Sequence, residues 1–201
     1  MMNIAVFCSG NGTNFQAIIN AIRRGYIKAN LVLMVCDNPA SYALKRAKKA
    51  KVEVFLLTSQ GFKDRDSYDR EVIKKLEEKD AGLIVLAGFM RLLGPYFVSR
   101  YRNRILNIHP ALLPSFKGTH GVKDALEYGV KVTGPTVHFV DKGLDSGPII
   151  LQETVSVKDG DTEETLASRI HKKEHLIYPK AVKLFVEGRI KIEGRKVKIA
   201  K

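Results

Sequence analysis

Apolar runs recur along this chain at Ile4 to Cys8, Leu31 to Cys36, Val52 to Leu57, Leu83 to Ala87, Ile105 to Ile108, Thr136 to Val140 and Ile149 to Val157. Helical spacing separates most of them. A strand with one face in water alternates apolar and polar residues, whereas the first few runs here are apolar almost throughout, as strands covered by helices on both faces must be. The pattern predicts an α/β fold wound in the Rossmann manner, a mostly parallel central sheet with helices on both faces. Between the last two runs only Asp141-Lys142-Gly143-Leu144-Asp145-Ser146-Gly147-Pro148 intervenes. That is too short for a crossover helix, so an antiparallel strand is expected in the C-terminal half. A long helix should follow, opened by Asp161 or Thr162 with Glu163 and Glu164 in its first turn, and broken near Pro179 before a polar tail.

At 201 residues, 45% of them apolar, the chain fits one domain able to bury a core without metal or disulfides. The longest apolar stretch, near Ala81 to Met90, is too short to span a bilayer, and the N-terminus lacks the pattern of a signal peptide. No membrane association is expected. Cys8 and Cys36 fit a reducing compartment as buried small hydrophobes, so the expected location is cytoplasmic. The net charge of +13 is scattered rather than gathered on a stacking platform, so nucleic acid is not an expected partner. A positive field would also attract small polyanions; a solvated lysine-rich surface is the plainer account.

The first apolar run leads into Ser9-Gly10-Asn11-Gly12-Thr13-Asn14 and then Phe15-Gln16-Ala17-Ile18-Ile19, a strand, a glycine turn and a helix. Two glycines let backbone approach an anion, and the first amides of the helix point at it with the positive end of the dipole behind them. This reads as a phosphate cradle. A dinucleotide fingerprint would need a third glycine where Phe15 stands, although Asp37 lies at a suitable spacing for a ribose. No Gly-Lys-Ser/Thr follows, so a Walker loop is excluded and a phosphate monoester is the natural ligand. The alternative is a tight turn capped by Asn11 or Thr13.

After the fifth run, Asn107 and His109 are two residues apart and share a strand face before Pro110 ends the ladder. A neutral amide donor and an imidazole suit an oxyanion forming at an attacked carbonyl. Asp145, between Gly143 and Gly147, is a candidate third member: a carboxylate beside His109 would raise the imidazole's pKa and accept a proton through water. A structural histidine and a turn-forming aspartate are the alternatives. His138 either lines a cleft or packs in its strand, and His120 is expected to order the loop after Gly118. His171-Lys172-Lys173-Glu174-His175 fits a zinc-protease pattern, but the lysines oppose a cation and no third ligand is evident.

Taken together, Ser9 to Asn14, Leu86-Ala87-Gly88-Phe89-Met90-Arg91, Asn107-Ile108-His109-Pro110-Ala111-Leu112-Leu113-Pro114, Thr136-Val137-His138-Phe139-Val140, Leu144 to Ile150 and Glu174-His175 resemble the phosphoribosylglycinamide formyltransferases, across nearly the whole chain. The resemblance implies transfer of a formyl group from the cosubstrate 10-formyltetrahydrofolate to glycinamide ribonucleotide in purine synthesis, with no metal and with a homodimer allowed. It implies a single formyltransferase domain over 1–201: a phosphate-binding half at 1–100, a catalytic and folate-binding half at 101–188, and a basic tail at 189–201. Asn107, protonated His109 and Asp145 would be catalytic. Gly12, Thr13 and Asn14 would hold the phosphate, Glu174 the ribose, and Gly88 and Pro110 the glycinamide. Met90, Arg91, Leu92, Leu93, Val140 and Asp141 would bound the folate, with Arg65 at its glutamate tail; the planar forks of Arg65 and Arg91 suit carboxylates. Ala111 and Pro135 depart from the family's usual residues, so any side-chain hydrogen bonds made there are expected to be lost. The related methionyl-tRNA formyltransferases and formyltetrahydrofolate deformylases carry further domains that this length does not accommodate, and a non-catalytic RNA-binding module would lack a stacking surface.

Overall fold

The computed structural model describes residues 1–200 and divides into two compact units, Met1–Leu106 and a second from Asn107 onward. The first unit alternates β1 (Met2–Phe7), α1 (Thr13–Arg23), β2 (Ala29–Cys36), α2 (Ala43–Ala50), β3 (Val54–Leu56), α3 (Arg65–Glu78), β4 (Leu83–Leu86) and α4 (Pro95–Arg100). Its strands lie in the order β3-β2-β1-β4, all in parallel. Ile4 to Phe7 and all of β4 are buried, which is why these strands do not alternate. The sequence neighbours β1 and β2 lie on one side and β4 on the other, so strand order reverses between β1 and β4. Sheets of this kind bind ligands outside the carboxyl ends of their strands, at the point where strand order reverses.

The second unit carries β5 (Ile105–His109, which crosses the boundary), α5 (Gly121–Tyr128), β6 (Val132–Thr133), β7 (Thr136–Phe139), β8 (Ile149–Gln152), β9 (Val155–Ser156), α6 (Glu163–Val186), β10 (Ile190–Glu193) and β11 (Lys196–Ile199). β7 and β8 pair antiparallel, as the short intervening loop requires. The expected single strand from Ile149 to Val157 is instead two, because β9 leaves β8's ladder to pair with β6. The exchange occurs opposite Gly134-Pro135: Pro135 has no N–H to extend the ladder, and a Cβ on Gly134 would lie 1.9 Å from the Glu153 carbonyl oxygen.

Pro179 does not end the last helix, which continues to Val186. A mid-helix proline costs about 3 kcal/mol, but beyond it Ala181, Val182 and Leu184 are buried. Burying side chains such as valine and leucine contributes about 1.5–3 kcal/mol each, enough to outweigh the break. Thr162 is the cap: its hydroxyl accepts from Thr165 N–H at 3.2 Å while Thr165 Oγ1 accepts from Thr162 N–H at 3.0 Å. Asp161 instead pairs with Arg169, 2.9 Å from one guanidinium nitrogen. The basic tail folds into an antiparallel hairpin of β10 and β11, whose Arg195 donates to the Ser146 carbonyl at 2.8 Å. Cys8 and Cys36 are buried free thiols, and burial pushes Cys8 up to about 11, which disfavours the thiolate that a nucleophile needs.

Candidate active site

The glycine turn of the first unit ends at Gly12, which caps α1 from the left-handed region (φ 71°). A Cβ there would meet Ala43 Cβ at 2.7 Å, so both conformation and space require glycine. Neither Asn11 nor Thr13 caps the helix, since no side chain does. The entrance to α2 forms the outer wall: Ser41 Oγ donates to Gly10 O at 2.7 Å, Arg46 Nε to Asn11 O at 2.8 Å, and Asn38 Nδ2 to Ser9 O at 3.0 Å.

The loop after β4, from Gly88 to Gly94, is held at both ends. Ser9 N–H donates to Gly88 O at 3.0 Å and Met90 N–H to Ser9 Oγ at 2.9 Å, while Gly94 N–H donates to Asp69 Oδ2 at 2.6 Å. Asp69 is wholly buried. Burial raises its pKa, against the opposing pull of the Gly94 amide and the charges of Arg91 and Arg65. Between these anchors Met90 and Leu92 are 70% and 59% exposed, apolar side chains presented outward. Arg91 stacks on Tyr68, its guanidinium carbon 4.1 Å from the ring centre, with Nε buried and lacking a hydrogen-bond partner. Arg65 opens α3 and is exposed.

In the second unit the structure brings Asn107, His109 and Asp145 into one cluster. His109 Nδ1 lies 3.4 Å from Asp145 Oδ2, which also accepts Gly118 N–H at 2.8 Å. His109 Nε2 lies 2.7 Å from Phe116 O, a group that only accepts, so the proton of the neutral ring sits on Nε2 and Nδ1 faces the carboxylate with its lone pair. A proton gained by this imidazole is therefore held between Nδ1 and Asp145. Asp145 acts to raise the His109 pKa, as expected of a neighbouring carboxylate, but the ring is 3% exposed and burial outweighs it, leaving the pKa below the ordinary 6.5. For Asp145 burial acts to raise the pKa, but His138, the Gly118 amide and the charge of His109 prevail and lower it.

His138 completes the cluster. Its Nδ1 is 2.7 Å from Phe139 O, so Nδ1 carries the proton and Nε2 accepts from Asn107 Nδ2 at 3.2 Å; Nε2 is 3.6 Å from Asp145 Oδ1. Sequence reasoning left this histidine open, and the available signal was its alternation with Thr136 on β7. Asp145 itself adopts φ 46°, and Gly147 permits the turn, since a Cβ there would lie 1.8 Å from Phe139 O. Asp141 accepts from Gly143 N–H at 3.1 Å and Ser146 Oγ at 2.5 Å, closing the loop that delivers Asp145. Val140 leads into that loop, half-buried.

The segment after β5, beginning at half-buried Pro110, is braced by Thr136, whose hydroxyl donates to Ala111 O at 2.7 Å and accepts from Leu113 N–H at 3.0 Å. Glu174 is buried on α6 and lies 2.8 Å from His171 Nδ1, an interaction that raises the pKa of His171. His120 stands before α5 without capping it by its side chain, and its carbonyl accepts from Asp124 N–H at 2.9 Å. Among the described residues no helix is long and apolar enough to cross a membrane.

Comparison with known proteins supplies the context for these clusters. The family profile described as formyl transferase matches residues 2–182. The chain is similar to phosphoribosylglycinamide formyltransferase of Escherichia coli, 44% identical over 95% of this chain and 90% of that protein. It is also similar to the crystal structure of glycinamide ribonucleotide transformylase 1 from Symbiobacterium toebii, at 45% identity and a TM-score of 0.98, covering 100% of this chain and 95% of that one. A formyltetrahydrofolate deformylase structure from Pseudomonas syringae shares the fold alone, at 22% identity and a TM-score of 0.93 over 100% of this chain and 66% of that one.

Proposed function

Because the chain belongs to the formyl transferase family, we propose that it transfers the formyl group of 10-formyltetrahydrofolate to the primary amine of glycinamide ribonucleotide in purine biosynthesis. The observation that carries the chemistry is the convergence of Asn107, His109 and Asp145, with one proton's place between Nδ1 of His109 and Asp145 Oδ2. The amine nitrogen attacks the formyl carbon, and the carbonyl π pair moves onto oxygen. Asn107 N–H and the His109 imidazolium stabilise that oxyanion, for which the His109 bond to Phe116 O must open or be shared. Asp145 keeps the imidazolium charged at that moment and takes the amine proton through water. The proton passes to the folate nitrogen as its bond to the formyl carbon breaks, releasing tetrahydrofolate.

Gly12, Thr13 and Asn14 hold the phosphate at the start of α1, Glu174 the ribose hydroxyls, and Gly88 and Pro110 the glycinamide. Met90, Arg91, Leu92, Leu93, Val140 and Asp141 bound the folate, with Arg65 on its glutamate tail. In this reading residues 1–201 act as one formyltransferase domain, in the cytoplasm, without nucleic acid or membrane and without a metal, and a homodimer is compatible with it. The closest competing chemistry is hydrolysis, since the fold also serves a deformylase. Loss of 10-formyltetrahydrofolate is followed with and without glycinamide ribonucleotide. Amine-dependent turnover is expected; amine-independent loss would make the protein a hydrolase, and no turnover would remove the enzyme altogether.

A further inference from the structure

We infer that Ser9 is a positioning residue that couples the two loops proposed above to hold substrate, so that the ribonucleotide and the folate tighten each other's binding. The inference rests on that assignment of the loops. Ser9 is 6% exposed and leaves the carboxyl end of β1, beside β4, at the point where strand order reverses. It is bonded in three directions. Its N–H donates to Gly88 O at 3.0 Å, its hydroxyl oxygen accepts Met90 N–H at 2.9 Å, and its carbonyl accepts Asn38 Nδ2 at 3.0 Å. One buried residue therefore exchanges two hydrogen bonds with the Gly88–Gly94 loop while standing directly before Gly10.

Glycines, whose backbones have the most freedom for a ligand to remove, flank the contact on either side. Gly10 and Gly12 follow Ser9, and Gly88 holds φ 77° at the start of the partner loop. A ligand that orders Gly10 to Asn14 fixes the backbone of Ser9, which then presents its hydroxyl to Met90 already in place. The second ligand has less conformational freedom to remove from the Met90 loop, and by linkage the effect is the same in either order. The contact on the other side of the glycine turn makes a control. Ser41 Oγ holds Gly10 O at 2.7 Å and has no hydrogen bond to the Gly88–Gly94 loop.

Calorimetric titrations of glycinamide ribonucleotide and of tetrahydrofolate, which together cannot react, test this. Each is measured alone and with the other saturating, in the wild type, Ser9→Ala and Ser41→Ala. The wild type is expected to show about fivefold or greater mutual tightening, the lower end of ordinary coupling. Ser9→Ala should bring that factor close to one while each ligand still binds, whereas Ser41→Ala should weaken the ribonucleotide and keep the factor. An undiminished factor in Ser9→Ala, or no coupling in the wild type, overturns the inference. Failure of either ligand to bind the wild type sinks the loop assignment and the inference with it. Should Ser9→Ala not fold, amide exchange at Met90 in the wild type decides: the ribonucleotide alone must slow it, and an unchanged rate overturns the coupling.

Discussion

At the residue scale the governing contest is over the proton of His109. Burial disfavours the imidazolium while Asp145, 3.4 Å away, favours it, and burial prevails. With a folded pKa below the unfolded 6.5, the unfolded chain binds the proton first as pH falls. This group's contribution to stability is therefore complete above 6.5 and is lost as pH drops through the folded value. Asp145→Asn removes the opposing carboxylate, so the His109 midpoint followed by NMR should lie below 6.5 in the wild type and fall further in the variant. Turnover should drop about 10²–10⁴-fold, the usual size of a lost proton relay. A midpoint that stays put, or near-normal turnover, would remove Asp145 from the mechanism.

At the scale of elements, one short loop places the chemistry. The turn from Asp141 to Gly147 delivers Asp145 because Gly147 lets the backbone pass against Phe139 O, where a Cβ would stand at 1.8 Å. Gly147→Ala must push β7 and the loop apart. The strain should cost about 1–3 kcal/mol in denaturant unfolding, and the displaced carboxylate should cut kcat more than it alters KM for the ribonucleotide. Unchanged stability together with unchanged kcat would show that the turn tolerates the methyl and that Asp145 is placed by other means. The long helix α6 offers a different lesson: it survives Pro179 because burial beyond the proline exceeds the cost of one missing hydrogen bond.

For the whole molecule, a net charge of +13 surrounds a protein whose proposed substrates are a phosphate ester and a polyanionic folate. A field of that sign concentrates anions at the surface and is screened over about 10 Å at 0.1 M salt. Raising salt from 0.02 to 0.3 M should lower kcat/KM for the ribonucleotide by about tenfold with kcat nearly constant. A flat profile would assign the lysines to solubility alone.

The sequence by itself determined the alternation of strands and helices, the parallel core of β1, β2 and β4, the antiparallel turn between β7 and β8, and the chemical types of Asn107, His109 and Asp145. These are properties of periodicity, loop length and side-chain chemistry, each legible within a short window. Tertiary structure alone decided that Pro179 would be absorbed, that the last apolar run would divide opposite Pro135, and that His138 would join Asn107 and Asp145. It also decided the direction of the His109 pKa and the anchoring of Met90 by Ser9, 81 residues earlier. Burial, close approach and competing partners arise only when distant segments meet, so no local pattern along the chain encodes their balance.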